Sequence, residues 1–323
     1  MKLSKLLNRA PQPIAISATE PSQLTLKNAQ DRYFRWLFDS KSDQHRPLSV
    51  PQKLVVEMVK NQLQKKDARL RAVPRLPTVI PKLLRSLRDP DSSVKDYVNI
   101  INKDPAMSVA VLKLANSVYF NPIGKSIGEV ETAVVKLGID GLRSVLSAAV
   151  MQPIIQQESA YFSSAGRKMW AHSLNCAVAC ELIAEHYGQE KFKMYLMGLT
   201  HDMGNITIFS ELCKQFTLNG EQHDPGYHAF VPLMRSLSSA LSFWIARDWE
   251  LPQDICKAMA EQIALKPNRE LSLYAGILFQ ANLITEVHAT IYDSNERLAK
   301  AILSEMNLPS NLYDKLNQVA LEM

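Results

Sequence analysis

The segment "LMGLTHDMGN", Leu196 to Asn205, sets a histidine directly against an aspartate on an otherwise apolar stretch: His201-Asp202. A neutral imidazole and a carboxylate are both ligands for a divalent cation. A hydrolytic metal centre needs several such groups at about 2.0–2.2 Å and one open position for water. Neighbouring residues on a helix point about 100° apart, so the dyad can address one ion only in a particular setting. A second "HD" pair, His223-Asp224, sits in "EQHDPGYHAF" with His228. Pro225-Gly226 marks a turn there, which makes an exposed loop the expectation. His186 and His288 read as helix-terminal or ordinary polar positions. The four cysteines, Cys176, Cys180, Cys213 and Cys256, form no CxxC pair. They read as small buried apolar residues in a reducing compartment. No Gly-rich phosphate loop and no Ser-His-Asp arrangement is visible.

The elements that must hold these groups come from a chain of 323 residues, 46% hydrophobic and 21% charged. That suits one large domain or two ordinary ones with a full core. The apolar pieces at the N-terminus are short and broken by Asn8, Arg9 and prolines, so no secretory signal is expected. Apolar runs long enough to span a bilayer are not expected either. Together with the cysteine usage this points to the cytoplasm. The net charge of +5 is uneven. Residues 1–75 hold 15 Lys and Arg against 6 Asp and Glu, an excess of +9, which leaves about −4 for the rest. A basic front end can attract nucleic acid, an anionic membrane or an acidic partner, and it is also what a solvated segment looks like.

Periodicity predicts an all-α chain. Residues 1–24 read as a loose tail. Leu26, Ala29, Tyr33, Trp36 and Leu37 share one face of a short amphipathic helix. The aromatics of "YFRWLF" could dock a partner or pack on the body. Ser49 and Gln52 form a capping box, with Pro51 in the first turn. Residues 1–75 are thus a basic extension with one or two amphipathic helices. Leu76, Val79, Ile80, Leu83, Leu84 and Leu87 recur at the period of a buried face. Asp89-Pro90 stops that helix, Ser93 with Asp96 starts the next, and Asp104-Pro105 starts another. Gly138 closes a helix and Asp140 caps the following one. This "LGIDGLRSV" turn resembles the Gly-x-x-Gly turn of hairpins that touch DNA backbones, but Asp140 would repel phosphate, so nucleic acid is not the expected partner. "EKFKMYLMGLTHDMGNITIFSELC" and "ELSLYAGILFQANLITEVHATIY" each read as a continuous helical stretch. The region 230–265 splits into two helices at Leu251-Pro252. Strand character is not found.

Several ordered pieces resemble one family. "LPTVIPKLLRSLRDPDSS", "KDPAMSVAVLKLANS", "AVVKLGIDGLRSVL", "WAHSL", "GLTHDMGN" and "WELPQDICKAM" follow the pattern of HDOD, the HD-related output domain, over roughly Leu76 to Ala289. The resemblance implies a multi-helix HDOD fold: an N-terminal helical part (76–160) packed on an HD-like helical core (161–289), with the C-terminal helices of 290–323 packed on it. HDOD domains are similar to the HD superfamily of metal-dependent phosphohydrolases. Carried over by motif, the first histidine of that pattern falls on His172, the dyad on His201 and Asp202, and the distant aspartate on Asn282. The resemblance also puts Asn205 where a lysine often stands and Glu261-Gln262 where a further histidine pair is often found. The donor set is therefore depleted. A neutral amide binds hard cations less well than a carboxylate, though His172, His201 and Asp202 could still hold a single divalent ion. The family implication is a regulatory output protein that contacts a signalling partner without catalysis. The alternative is a phosphohydrolase acting on a nucleotide or cyclic dinucleotide.

Overall fold

The computed structural model describes residues 15–22, 24–40, 47–86, 94–102, 105–156, 158–221 and 225–320. The sequence features Asp89-Pro90, Ser93, Asp104 and His223-Asp224 lie outside these residues. A short strand β1 (Ala15–Ser17) precedes α1 (Leu26–Leu37), α2 (Val50–Gln64), α3 (Lys66–Ala72), α4 (Val79–Ser86), α5 (Val94–Asn102) and α6 (Pro105–Ala115). Next come α7 (Val130–Ile155), α8 (Ala165–His186), α9 (Lys191–Thr200), α10 (Met203–Leu218), α11 (Tyr227–Asp248) and α12 (Gln253–Glu261). A strand β2 (Glu270–Ser272) leads into α13 (Leu273–Val287), a π-helical turn (His288–Tyr292), α14 (Glu296–Glu305) and α15 (Leu312–Ala320). The all-α expectation holds but for one two-stranded antiparallel sheet, in which Ile16 pairs with Leu271.

Local chemistry explains the boundaries. Thr25 caps α1 by accepting from the amide of Asn28, and α2 carries the full Ser49/Gln52 capping box. Gly138 has φ 66°, a left-handed value that glycine adopts readily, and it kinks α7 there. Asp140 pairs with Arg143 across 3.0 Å. Gly188, also left-handed, ends α8.

Three features differ from the sequence expectations. Residues 15–22 are not a loose tail: β1 is pinned to β2, and Ile16 fits over Gly276 so closely that a Cβ there would overlap it. The front extension contains three helices rather than one or two, and they are built into the body. In it α1 packs on α8 and α13, and α2 packs on α10 and α11. Arg69 of α3 makes a largely buried ion pair with Asp248, 3.1 Å apart, and lies over the ring of Trp244. Arg35 of α1 likewise lies over the ring of Tyr227, so two of the basic residues there engage the rest of the chain. Thirdly, α11 is long and apolar enough to cross a bilayer by length and composition alone, but 61% of that stretch is buried inside the protein, as in a core helix.

One continuous apolar core joins α1 through α15. Within it α8 is the central element, buried along most of its length and packed by α9, α13 and α15. Each of these neighbours brings residues to one of the two faces of α8 described below.

Candidate functional site

The site begins with two glycines. A Cβ at Gly198 would lie 2.5 Å from the carbonyl oxygen of Cys176, so only glycine lets α9 lie this close to α8. A Cβ at Gly204 would overlap the carbonyl of Ser238, so only glycine seats the start of α10 on α11. The amide of Gly204 also donates to Ser242 Oγ at 2.9 Å. Between these contacts the helix breaks: α9 ends at Thr200, α10 starts at Met203, and His201-Asp202 forms the joint. The continuous stretch expected from the sequence is thereby corrected. The break is the setting that lets two adjacent side chains address one place.

His172 of α8 is buried, and its ring centroid lies 5.3 Å from that of His201. Asn282 of α13 sits between them. Its Oδ1 is 3.0 Å from His172 Nε2 and 3.1 Å from His201 Nε2. His201 Nδ1 lies 2.6 Å from the carbonyl oxygen of Gly198. Both nitrogens of His201 thus face acceptors, which suits the imidazolium. Burial opposes that charge, but Cys176, Asp202 and the Gly198 carbonyl favour it and carry the pKa up to about 10. The Cys176 thiol is itself pushed up by burial, so at neutral pH the persistent partner is Asp202. Burial and the His201 charge push His172 down to about 3, so it is neutral. Its Nε2–H donates to Asn282, and its Nδ1 is buried without a hydrogen-bond partner.

Asp202 is raised by burial, against the pull of His201 and Asn205. Asn205 Nδ2 donates to Asp202 Oδ1 at 2.6 Å. Glu286, one turn beyond Asn282, accepts from Asn282 Nδ2 at 3.2 Å, which aims the amide oxygen at the two imidazoles. Burial, then the Asp202 charge, raises Glu286 to about 8.

The sequence-predicted metal set is brought together: ligand atoms of His172, His201 and Asp202 lie within 4.8 Å of one another. Of the other candidates, Gln262 lines the cavity over this cluster and the rest lie outside it. Glu261 Oε2 accepts from the amide of Ser272, and Gln262 Nε2 donates to the carbonyls of Ala258 and Ala275. His288 bonds Asn317 at 2.8 Å, and His228 lies edge-on to Tyr227.

A cavity of about 510 Å³ opens over this cluster. Lys27 and Tyr33 of α1 and Arg235, Ser238 and Ser242 of α11 contribute to its walls. Arg235 is ion-paired with Asp31 of α1. Sequence reasoning missed Glu286, although its i,i+4 spacing from Asn282 was a signal. It also missed Arg235, Ser238 and Ser242, which share one face of α11 at steps of three and four, and it read Tyr33 only as an apolar position.

A family model described as the HDOD domain matches residues 73–265. The chain belongs to the HDOD family. The matched range starts three residues before the expected edge and stops short of α13, so the helix that carries Asn282 and completes the site lies beyond it. An uncharacterised protein of Treponema pallidum (strain Nichols) is 24% identical over 194 residues, which is 58% of this chain and 37% of that protein. Among solved structures, an HDOD domain protein of unknown function from Geobacter sulfurreducens covers 84% of this chain and 99% of its own length, with a TM-score of 0.57 and 20% identity. A provisionally named metal-dependent phosphohydrolase from Shewanella amazonensis SB2B covers 85% and 99%, with a TM-score of 0.59 and 17% identity. At these identities the likeness shows the HDOD fold.

Proposed function

We propose that this HDOD protein is a regulatory output module that acts by contact with a signalling partner and does not hydrolyse a substrate. The observation that carries this reading is the place of Asn282 Oδ1, within hydrogen-bonding distance of both Nε2 atoms. In a metal centre those nitrogens would present lone pairs to an ion. Here they present protons to one shared acceptor, and the positive charge of the site is the proton on His201 beside Asp202. The donor set fits a hydrolytic centre poorly for a second reason. A metal-bound histidine normally donates from its other nitrogen to an acceptor. His201 has such an acceptor in Gly198, but His172 Nδ1 has none among the described residues. A neutral amide also stands at the fourth position, and Asn205 stands where the HD pattern often has a lysine.

The second reading, a metal-dependent phosphohydrolase acting on a nucleotide or cyclic dinucleotide, is favoured by the 4.8 Å clustering of three ligand atoms beneath a cavity with Lys27 and Arg235 in its walls. The two are separated by measuring metal content in protein purified without chelator, alongside hydrolysis of nucleotides and cyclic dinucleotides. The regulatory reading expects substoichiometric metal and no turnover. Stoichiometric metal with turnover that disappears in His201→Ala would overturn it.

A further inference from the structure

A second cavity lies on the other face of α8. The residues His172 and Cys176 face the cluster above, whereas Arg167, Trp170, Leu174 and Val178 follow one another at steps of three and four along the opposite side. This stripe forms one wall of a pocket of about 310 Å³. The end of α6 and the loop after it close the pocket on one side, the end of α7 closes another, and Val319 of α15 contributes a further contact. The volume is at the lower end of what small-molecule sites enclose, roughly 300–1,000 Å³.

The chemistry of the lining is sorted. The floor is apolar and aromatic: Trp170, Leu174 and Val178 are buried, and the rings of Tyr119 and Phe120 meet edge to face, 4.8 Å apart. Several of the neutral polar groups are already engaged. Asn116 donates to the carbonyls of Leu112 and Ile127 and accepts from the amide of Ile127. Gln152 donates to Gln156 at 3.0 Å. The Tyr119 hydroxyl is spent on Glu181, which leaves its ring to the pocket. The charged groups of the lining are two exposed cations, Lys113 and Arg167, which make no hydrogen bond or ion pair among the described residues.

We propose that this pocket binds a small organic anion with a flat apolar body, the body lying against Trp170, Tyr119 and Phe120 and the charge meeting Lys113 and Arg167 at the mouth. Two unopposed cations above an aromatic floor select that combination. A cation is repelled, and a neutral molecule forgoes the charge-assisted contacts. The site is independent of the His172–His201 cluster, since α8 separates them. It also joins the N-terminal helices, α8 and the C-terminal helix α15, so its occupant would tie three parts of the chain together.

The probe is 1-anilinonaphthalene-8-sulfonate, an aromatic anion, titrated into the full chain and followed by its fluorescence. The expected result is one saturable equivalent whose affinity falls about tenfold or more when both Lys113→Ala and Arg167→Ala are present, the scale of two lost charge-assisted contacts. Both side chains are exposed, so the variant keeps its fold, which circular dichroism verifies. The uncharged analogue N-phenyl-1-naphthylamine should bind wild type and double variant alike. Unchanged dye affinity in the double variant would overturn the proposal. So would loss of the dye in Arg235→Ala, because that places it in the cavity over His172.

Discussion

Tyr33 lays its ring 4.6 Å from the imidazole of His172, so a residue of the front extension closes one side of the cluster on α8. Its hydroxyl is buried with only a loose contact to the Asp202 carboxylate, and burial, then the Asp202 charge, holds its pKa well above the ordinary value. The two parts of the side chain therefore carry unequal weight. Removing the ring in Tyr33→Ala should cost about 3–5 kcal/mol of stability, the range for large-to-small aromatic changes in a core. Removing only the hydroxyl in Tyr33→Phe gives up that loose contact and also removes a buried polar group, so stability should change by less than about 1 kcal/mol. Urea unfolding of both variants tests this. A loss above about 1 kcal/mol in Tyr33→Phe would show that the hydroxyl is bonded in solution.

Asn282→Asp puts back the carboxylate that the HD pattern carries. Without metal it crowds a third acidic group against Asp202 and Glu286 and should lower stability by about 1–3 kcal/mol. With Mn²⁺ the same carboxylate becomes a ligand beside His172, His201 and Asp202. The variant should then recover, with a rise in melting temperature that grows with metal concentration. Thermal unfolding across a Mn²⁺ series checks both halves. If wild type gains as much from Mn²⁺ as the variant does, Asn282 is not what weakens the site.

Glu181 supplies a pH test away from the cluster. Burial raises its pKa from 4.5 to about 7, against the hydrogen bond from Tyr119 and the charge of Lys191. The folded state thus keeps a proton that the unfolded chain has already released. Its share of stability is fully present below pH 4.5 and is lost as pH rises through about 7. Glu181→Gln imitates the protonated acid at every pH and can still accept from Tyr119. The variant should match wild type near pH 4.5 and exceed it at pH 8 by roughly 1–3 kcal/mol, allowing for partial exposure of the group. Parallel stability curves for the two proteins would contradict the assignment.

How far the sequence reveals this molecule depends on range. The helices of the HD-like part are legible because Trp170 to Ala184 and Phe192 to Leu199 are buried almost without interruption, and the motif spacing correctly gathers His172, His201 and Asp202. The break between α9 and α10 is not legible, because no proline marks it and Asp202, at the N-cap of α10, makes no capping hydrogen bond. It is imposed by Gly198 meeting Cys176 and Gly204 meeting Ser238, contacts across 22 and 34 residues. The β1–β2 pairing joins residues about 255 apart, and three-residue strands carry too little alternation to register. Tyr33 occupies an ordinary apolar position on its own helix. Only the packing of α1 on α8 and α13 gives it a role at the site.

The two glycines yield the last prediction. Gly198→Ala drives a methyl group into the backbone of Cys176 and Ala177, and Gly204→Ala drives one into the backbone of Ser238. Backbone cannot swing aside as a side chain can, so each helix must shift, at about 1–3 kcal/mol. Gly128→Ala is the control, since nothing lies within 4 Å of its added carbon, and it should be neutral or gain a few tenths of a kcal/mol, roughly. The two damaging changes should also differ at the dyad. Moving α9 disturbs the carbonyl that receives the Nδ1 proton of His201, whereas moving α10 disturbs the seat of Asp202 and its bond from Asn205. The imidazole N–H resonances of His201 should therefore move more in Gly198→Ala than in Gly204→Ala. Equal urea midpoints for Gly198→Ala and Gly128→Ala would mean that α9 does not depend on this close approach to α8.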